Sequence, residues 1–168
     1  MANLPVDNVN WIDCKQFVSA LNELTGMTFS LPTEAQWEYA ARGGNGGTDS
    51  VYAGSEILEE VAHYRPGEDM YVVPVRTAGK PNRLGLYDMT GNVFEWCKDV
   101  YDTDGYPAES VSNPNGPSEK VEGKNDRVKR GGSWRCLVND SSLFVTFRGS
   151  ANETQKRIDY GLRLCINQ

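Results

Sequence analysis

Ser133 and Cys136 stand three residues apart and are the side chains best suited to covalent or metal chemistry. A thiol becomes a nucleophile or a ligand only as its thiolate, and a neighbouring cation lowers its pKa. Arg135 is adjacent in sequence, and Arg163 is a second candidate cation. A nucleophilic triad also needs a base beside the nucleophile. The only histidine, His63, lies far away in sequence, and nothing places it there. Cys14, Cys97 and Cys165 bring the cysteines to four, an even count. None has a CxxC or Cys/His zinc spacing, and their apolar contexts favour free thiols packed as small hydrophobes.

These residues must be held by the rest of a 168-residue chain, which fits one domain over 1–168 and can bury a proper core. The net charge of −6 argues against nucleic acid as a partner. Arg127, Lys129, Arg130 and Arg135 form a local basic run, expected to be the solvated edge of a strand. No apolar run is long enough to span a bilayer. Met1-Ala2-Asn3 leads into polar sequence, so no signal peptide is visible, and localisation is left open.

Two helices are expected. Over 10–26, Asn10 caps the start, Cys14, Phe17, Val18, Leu21 and Leu24 recur at roughly helical spacing, and Gly26 supplies a left-handed stop. A short strand over 28–31 precedes Pro32. Thr33 and Gln36 then form a capping box for a helix running to Arg42. From Thr48 to Leu84 the pattern is irregular, with a candidate edge strand at 72–75 and turns such as Pro66-Gly67. A second loop fills 102–126. Further strands are expected at 126–130, 143–148 and 161–166.

Three blocks carry a resemblance. They are Leu31-Pro32-Thr33-Glu34-Ala35-Gln36-Trp37-Glu38-Tyr39-Ala40-Ala41-Arg42-Gly43-Gly44, Gly85-Leu86-Tyr87-Asp88-Met89-Thr90-Gly91-Asn92-Val93-Phe94-Glu95-Trp96, and Arg130-Gly131-Gly132-Ser133-Trp134 closed by Gly161-Leu162-Arg163-Leu164. Together they resemble the formylglycine-generating enzymes, or sulfatase-modifying factors. The resemblance implies an α+β domain with the C-type lectin fold of the formylglycine-generating-enzyme type. In that fold two helices pack on a small twisted antiparallel sheet with extensive irregular loops. Phe94 stands where the family's central segment usually has Trp.

The family's enzymes use two thiols, the second five residues after the first, to bind copper(I) and oxidise a substrate cysteine with oxygen. Cys136 matches the first thiol and Ser133 a serine near that site. The second thiol falls on Ser141, or on Asp140 with a one-residue slip, and neither carries sulfur. Soft thiolate pairs select copper(I), and a single thiolate offers one strong ligand. Copper is therefore not expected, and the chain reads as a non-enzyme. The alternative is a copper-dependent oxidase acting on sulfatase cysteines through Cys136 and Ser133. The family also binds calcium. By position its ligands would be the carbonyls of Thr90, Gly91 and Val93 and the Glu95 carboxylate, hard oxygen donors that suit Ca²⁺. Glu95 capping backbone N–H groups is the other reading.

From Arg135 to Asn152 the chain contains no Lys, Glu, Gln, Met or Trp. This resembles the variable region of proteins diversified by retroelements, in which mutated AAC codons cannot encode those five types. Those proteins share this fold and place the region between a GGSW-like strand and a GFRL-like strand. The candidate variable region here is 135–160. Its binding face would contain Arg135, Leu137, Val138, Asn139, Asp140, Ser141, Leu143, Phe144, Thr146 and Asn152. A mixed polar and aromatic face suits a protein or glycan ligand. The resemblance also implies attachment to a larger phage or cell-surface structure. The plain reading is an ordinary strand, with Val145 and Phe147 facing inward.

Overall fold

A computed structural model describes residues 3–64, 71–103 and 125–166. Most of the expected 102–126 loop and the Pro66-Gly67 turn lie outside them. In chain order the elements are α1 (Trp11–Thr25), β1 (Phe29–Ser30), α2 (Glu34–Ala41), β2 (Ala62–His63), β3 (Thr90–Gly91), β4 (Phe94–Val100), β5 (Asp126–Arg130), β6 (Gly149–Asn152), β7 (Tyr160–Gly161) and β8 (Cys165–Ile166). Short 3-10 turns occupy Leu58–Glu60 and Ser141–Leu143.

Both helices begin as their sequences dictate. Asn10 accepts from the Asp13 amide while Asp13 reaches back to the Asn10 amide, and Gly26 closes α1 at φ 68°. Thr33 and Gln36 form the same reciprocal pair at α2. Each such cap contributes about 1 kcal/mol.

The main sheet has the order β6-β5-β4-β7. β4–β5 and β5–β6 are antiparallel, whereas β7 joins β4 in parallel, opposite Phe94 and Glu95. The sheet is thus mixed at one edge. β1 and β8 form a separate antiparallel pair, and β2 and β3 a parallel one. Trp37 and Trp96 are wholly buried at the centres of two apolar clusters. Truncating either to Ala would cost about 3–5 kcal/mol.

Several expected strands differ. Residues 72–75 form none, and the expected strand at 161–166 is broken into β7 and β8. Residues 143–148 are a turn, and the strand falls at 149–152 instead. The cause is Asp140, whose carboxylate accepts from the Ser142 amide at 2.8 Å and starts a 3-10 turn. Val145 is buried and Thr146 faces solvent as expected, but Phe147 is only half-buried and Leu143 is buried.

The basic run is not a solvated edge. Arg127, Lys129 and Arg130 are all buried, because β5 lies inside the sheet, paired on both sides. Arg130 donates to Glu34 at 2.8 Å, to Glu38 at 2.7 Å and to the Val145 carbonyl at 2.6 Å. Arg127 pairs with Glu153 and stacks 3.8 Å from the Trp11 ring centre.

Candidate functional site: a buried thiol beneath an exposed loop face

β5 runs into Gly131 and Gly132, at φ 92° and 72°. A Cβ on Gly132 would lie 2.8 Å from the Leu143 side chain and 2.9 Å from the Ser142 carbonyl. Only glycine lets the 141–143 turn lie against this strand end. The chain then buries Ser133 and Trp134, exposes Arg135, and buries Cys136.

Ser133 and Cys136 do meet. The Ser133 amide donates to Cys136 Sγ at 3.3 Å, and the two side chains are 3.9 Å apart. Ser133 Oγ donates to Asp159 Oδ2 at 3.3 Å, and Asp159 also holds Arg157 at 3.0 Å. Burial pushes the Cys136 thiol above its usual pKa, a shift that hydrogen bonds from Ser133 and Ser142 oppose in part. Neither candidate cation activates it. The Arg135 guanidinium lies over the Trp134 ring at 5.3 Å, and Arg163 is bound to Glu95. His63 meets the Tyr71 carbonyl.

All four cysteines are free. Ser141 is exposed, and the hydroxyls beside the Cys136 thiol belong to Ser133 and Ser142. The paired-thiol apparatus is absent. Among the described residues no group of three or more His, Cys, Asp or Glu could hold a metal ion, and no helix is long and apolar enough to cross a membrane.

Lys129 and Asp159 also belong to this site, Asp159 with no signal in the sequence and Lys129 expected only on a solvated strand edge. Lys129 is buried against the ring faces of Phe94 at 3.6 Å and Tyr160 at 5.0 Å. Desolvation pushes its pKa down to about 8, with the Asp159 carboxylate acting the other way. The basic spacing flagged this lysine, but only the mixed sheet reveals the ring faces that cover it.

The expected calcium ligands lie together on β3, the bend after it and β4, yet their carboxylate is already engaged. Glu95 accepts Arg163 Nε at 3.1 and 2.9 Å, Arg163 Nη2 at 2.8 Å and Trp37 Nε1 at 2.7 Å. A guanidinium thus occupies both oxygens that a calcium ion would need, so the Glu95 donor set does not fit the ion. Nor, among the described residues, does Glu95 cap backbone N–H groups.

Of the ten residues expected on the binding face, Arg135, Leu137, Val138, Asn139, Ser141, Thr146 and Asn152 are exposed. Asp140 and Phe144 are half-buried, and Phe144 packs edge-on against Tyr52 at 5.9 Å. Leu143 is the correction. It is 1% exposed and belongs to the core, because the 3-10 turn points it inward against Gly132. Leu137 and Val138 are adjacent, exposed and apolar, at 59% and 48%.

Comparison with known proteins accords with this geometry. The family model described as sulfatase-modifying factor enzyme 1-like domain matches residues 1–168. Serine/threonine-protein kinase pkn1 of Chlamydia pneumoniae is 34% identical over 168 residues, 99% of this chain and 24% of its own length. The formylglycine-generating enzyme of Streptomyces coelicolor is 33% identical, over 98% of this chain and 53% of its own length. Among solved structures, Treponema denticola variable protein 1 superposes with a TM-score of 0.84 at 28% identity, over 96% of this chain and 70% of that one. CarF gives 0.75 at 28% identity, over 96% and 67%. The chain spans about a quarter of the length of the first curated relatives and about half of the bacterial enzyme.

Proposed function

The chain belongs to the sulfatase-modifying factor enzyme 1-like family, and from that premise we propose that it is a non-catalytic ligand-binding module whose recognition face is carried by Arg135–Asn152. The observation that carries this reading is the interleaving of exposed and buried positions. Arg135, Leu137, Val138, Asn139, Ser141, Thr146 and Asn152 face solvent, while Cys136, Leu143, Val145, Gly149 and Ala151 between them are buried. A face of this kind tolerates substitution because the residues that hold the backbone are not the ones that meet the ligand.

The relation to a variable protein supports a diversified origin for the same segment, as does its lack of Lys, Glu, Gln, Met and Trp. Adjacent apolar side chains beside an arginine and several short polar ones suit a protein or glycan ligand. In this reading the module is displayed on a larger phage or cell-surface assembly. Cys136 is then a core residue beneath the face, and the oxidase reading fails for want of a second sulfur.

The test is a library randomised at Arg135, Leu137, Val138, Asn139, Ser141 and Thr146, displayed and sorted for folding and for ligand. Folding should survive most members, and binders to a chosen protein or glycan array should differ by their residues at these positions. A library in which folding fails broadly, or whose binders map elsewhere, would overturn the proposal. In the gene's neighbourhood, a reverse transcriptase and a template copy differing at adenines after Trp134 are expected.

A further inference from the structure

β5 buries three basic side chains, and two of them have carboxylates. Arg127 pairs with Glu153, and Arg130 with Glu34 and Glu38. Lys129, only 9% exposed, has neither an ion pair nor a hydrogen-bond partner for Nζ among the described residues. That nitrogen is nevertheless not sealed from solvent. Buried charges are ordinarily paired, and an unpaired buried amine near the surface is a candidate for chemistry.

The amine's surroundings are apolar. Nζ lies 3.6 Å from the Phe94 ring centre and 5.0 Å from that of Tyr160. On the adjoining strand β6, a Cβ on Gly149 would lie 3.2 Å from Nζ and 3.1 Å from the Phe147 ring. The missing side chain at Gly149 thus leaves the amine in a gap edged by three rings. The titratable groups around it are Asp159, Asp140, Arg157, Cys136 and Tyr160. The Asp159 oxygens are taken by Ser133 and Arg157, and one Asp140 oxygen by the Ser142 amide. With its pKa held at about 8 by desolvation, Lys129 supplies far more free amine near neutral pH than an ordinary lysine.

We infer that Lys129 is a covalent site for a small apolar aldehyde, captured as an imine over Gly149 among the rings of Phe94, Phe147 and Tyr160. The Nζ lone pair adds to the carbonyl carbon, and the carbonyl oxygen takes one proton from the nitrogen. The hydroxyl so formed takes the second and leaves as water when the C=N bond forms, so no oxidant or reductant is consumed. Desolvated lysines are suited to this chemistry. The ring faces favour an apolar aldehyde over a charged one. The site belongs to β5 and does not depend on the recognition face.

Treating the whole chain at pH 7.5 with benzaldehyde, with cyanoborohydride to reduce the imines, and mapping peptides by mass spectrometry tests this. Lys129 should be alkylated about tenfold faster than the exposed Lys15, Lys80, Lys98 and Lys156. That lead should shrink as pH rises through about 8, where Lys129 is already deprotonated and the others are not. It should vanish in denaturant. With glyoxylate, a charged aldehyde, Lys129 should lose its lead. Lys129→Arg keeps a cation on the rings and should lose the first adduct in the intact mass. Alkylation of Lys129 no faster than the exposed lysines, or only after unfolding, would overturn the proposal. So would an equal lead with glyoxylate, or a first adduct that persists in Lys129→Arg.

Discussion

Arg163 and Glu95 form a two-pronged ion pair between the chain's closing segment and its central strand, with contacts of 2.8 to 3.1 Å. Glu95 is buried and also accepts Trp37 Nε1 at 2.7 Å. Three segments far apart in sequence thus converge on one carboxylate. Breaking a buried pair leaves a charge uncompensated. Glu95→Ala is therefore expected to destabilise the domain by about 3–5 kcal/mol in denaturant unfolding. Because Arg163 and Trp37 engage both Glu95 oxygens, millimolar calcium should leave the melting temperature unchanged. A rise on adding calcium, reversed by chelation, would show that the ion displaces Arg163.

The cysteines should react in order of their exposure. Cys14 is pushed up to about 12 by burial, Cys97 well above its ordinary value and Cys136 above it, all for the same reason. Cys165, the one thiol that is not buried, should be alkylated first at pH 8. Peptide mapping by mass spectrometry should show Cys136 labelled at the rate of Cys14 in the folded protein, and all four labelled alike in denaturant. Rapid selective labelling of Cys136 would indicate an active thiolate.

Lys129 makes a pH-dependent contribution of definite sign. Its folded pKa is about 8, below the ordinary 10.5 of an unfolded lysine, so between these values the unfolded chain binds more protons. Stability attributable to this residue therefore rises with pH through that window and is lost as pH falls through about 8. Compared with Lys129→Met, the parent protein should gain up to about 3 kcal/mol between pH 7.5 and pH 10.5. Chemical denaturation of the pair at several pH values measures the difference directly. A constant difference would mean that the ammonium titrates as if in water.

Neighbouring residues of the 135–152 segment should divide sharply in stability. Leu137→Ala and Val138→Ala, at exposed positions, should fall within about 0.5 kcal/mol of the parent. Leu143→Ala, in the core against Gly132, should cost about 2–5 kcal/mol. Urea melts of the three variants check this, and an exposed Leu143 would remove the contrast.

Local chemistry is legible in the amino-acid sequence by itself. Asn10, Gly26, Thr33 and Gln36 announce both helices because caps are satisfied within a few residues of the chain. The family blocks announce the fold, and the missing sulfur at Ser141 announces the loss of paired-thiol chemistry. Tertiary structure decides the rest, since burial and charge pairing depend on partners distant in sequence. The run Arg127, Lys129, Arg130 reads as a solvated edge until β4 and β6 flank it on both sides. Glu95 reads as a calcium ligand until Arg163 arrives from 68 residues away. Leu143 reads as a surface residue until a turn set by Asp140 folds it under Gly132. A side chain's type fixes what it can do, but the dielectric and the counter-charge around it come from segments whose meeting only the folded chain specifies.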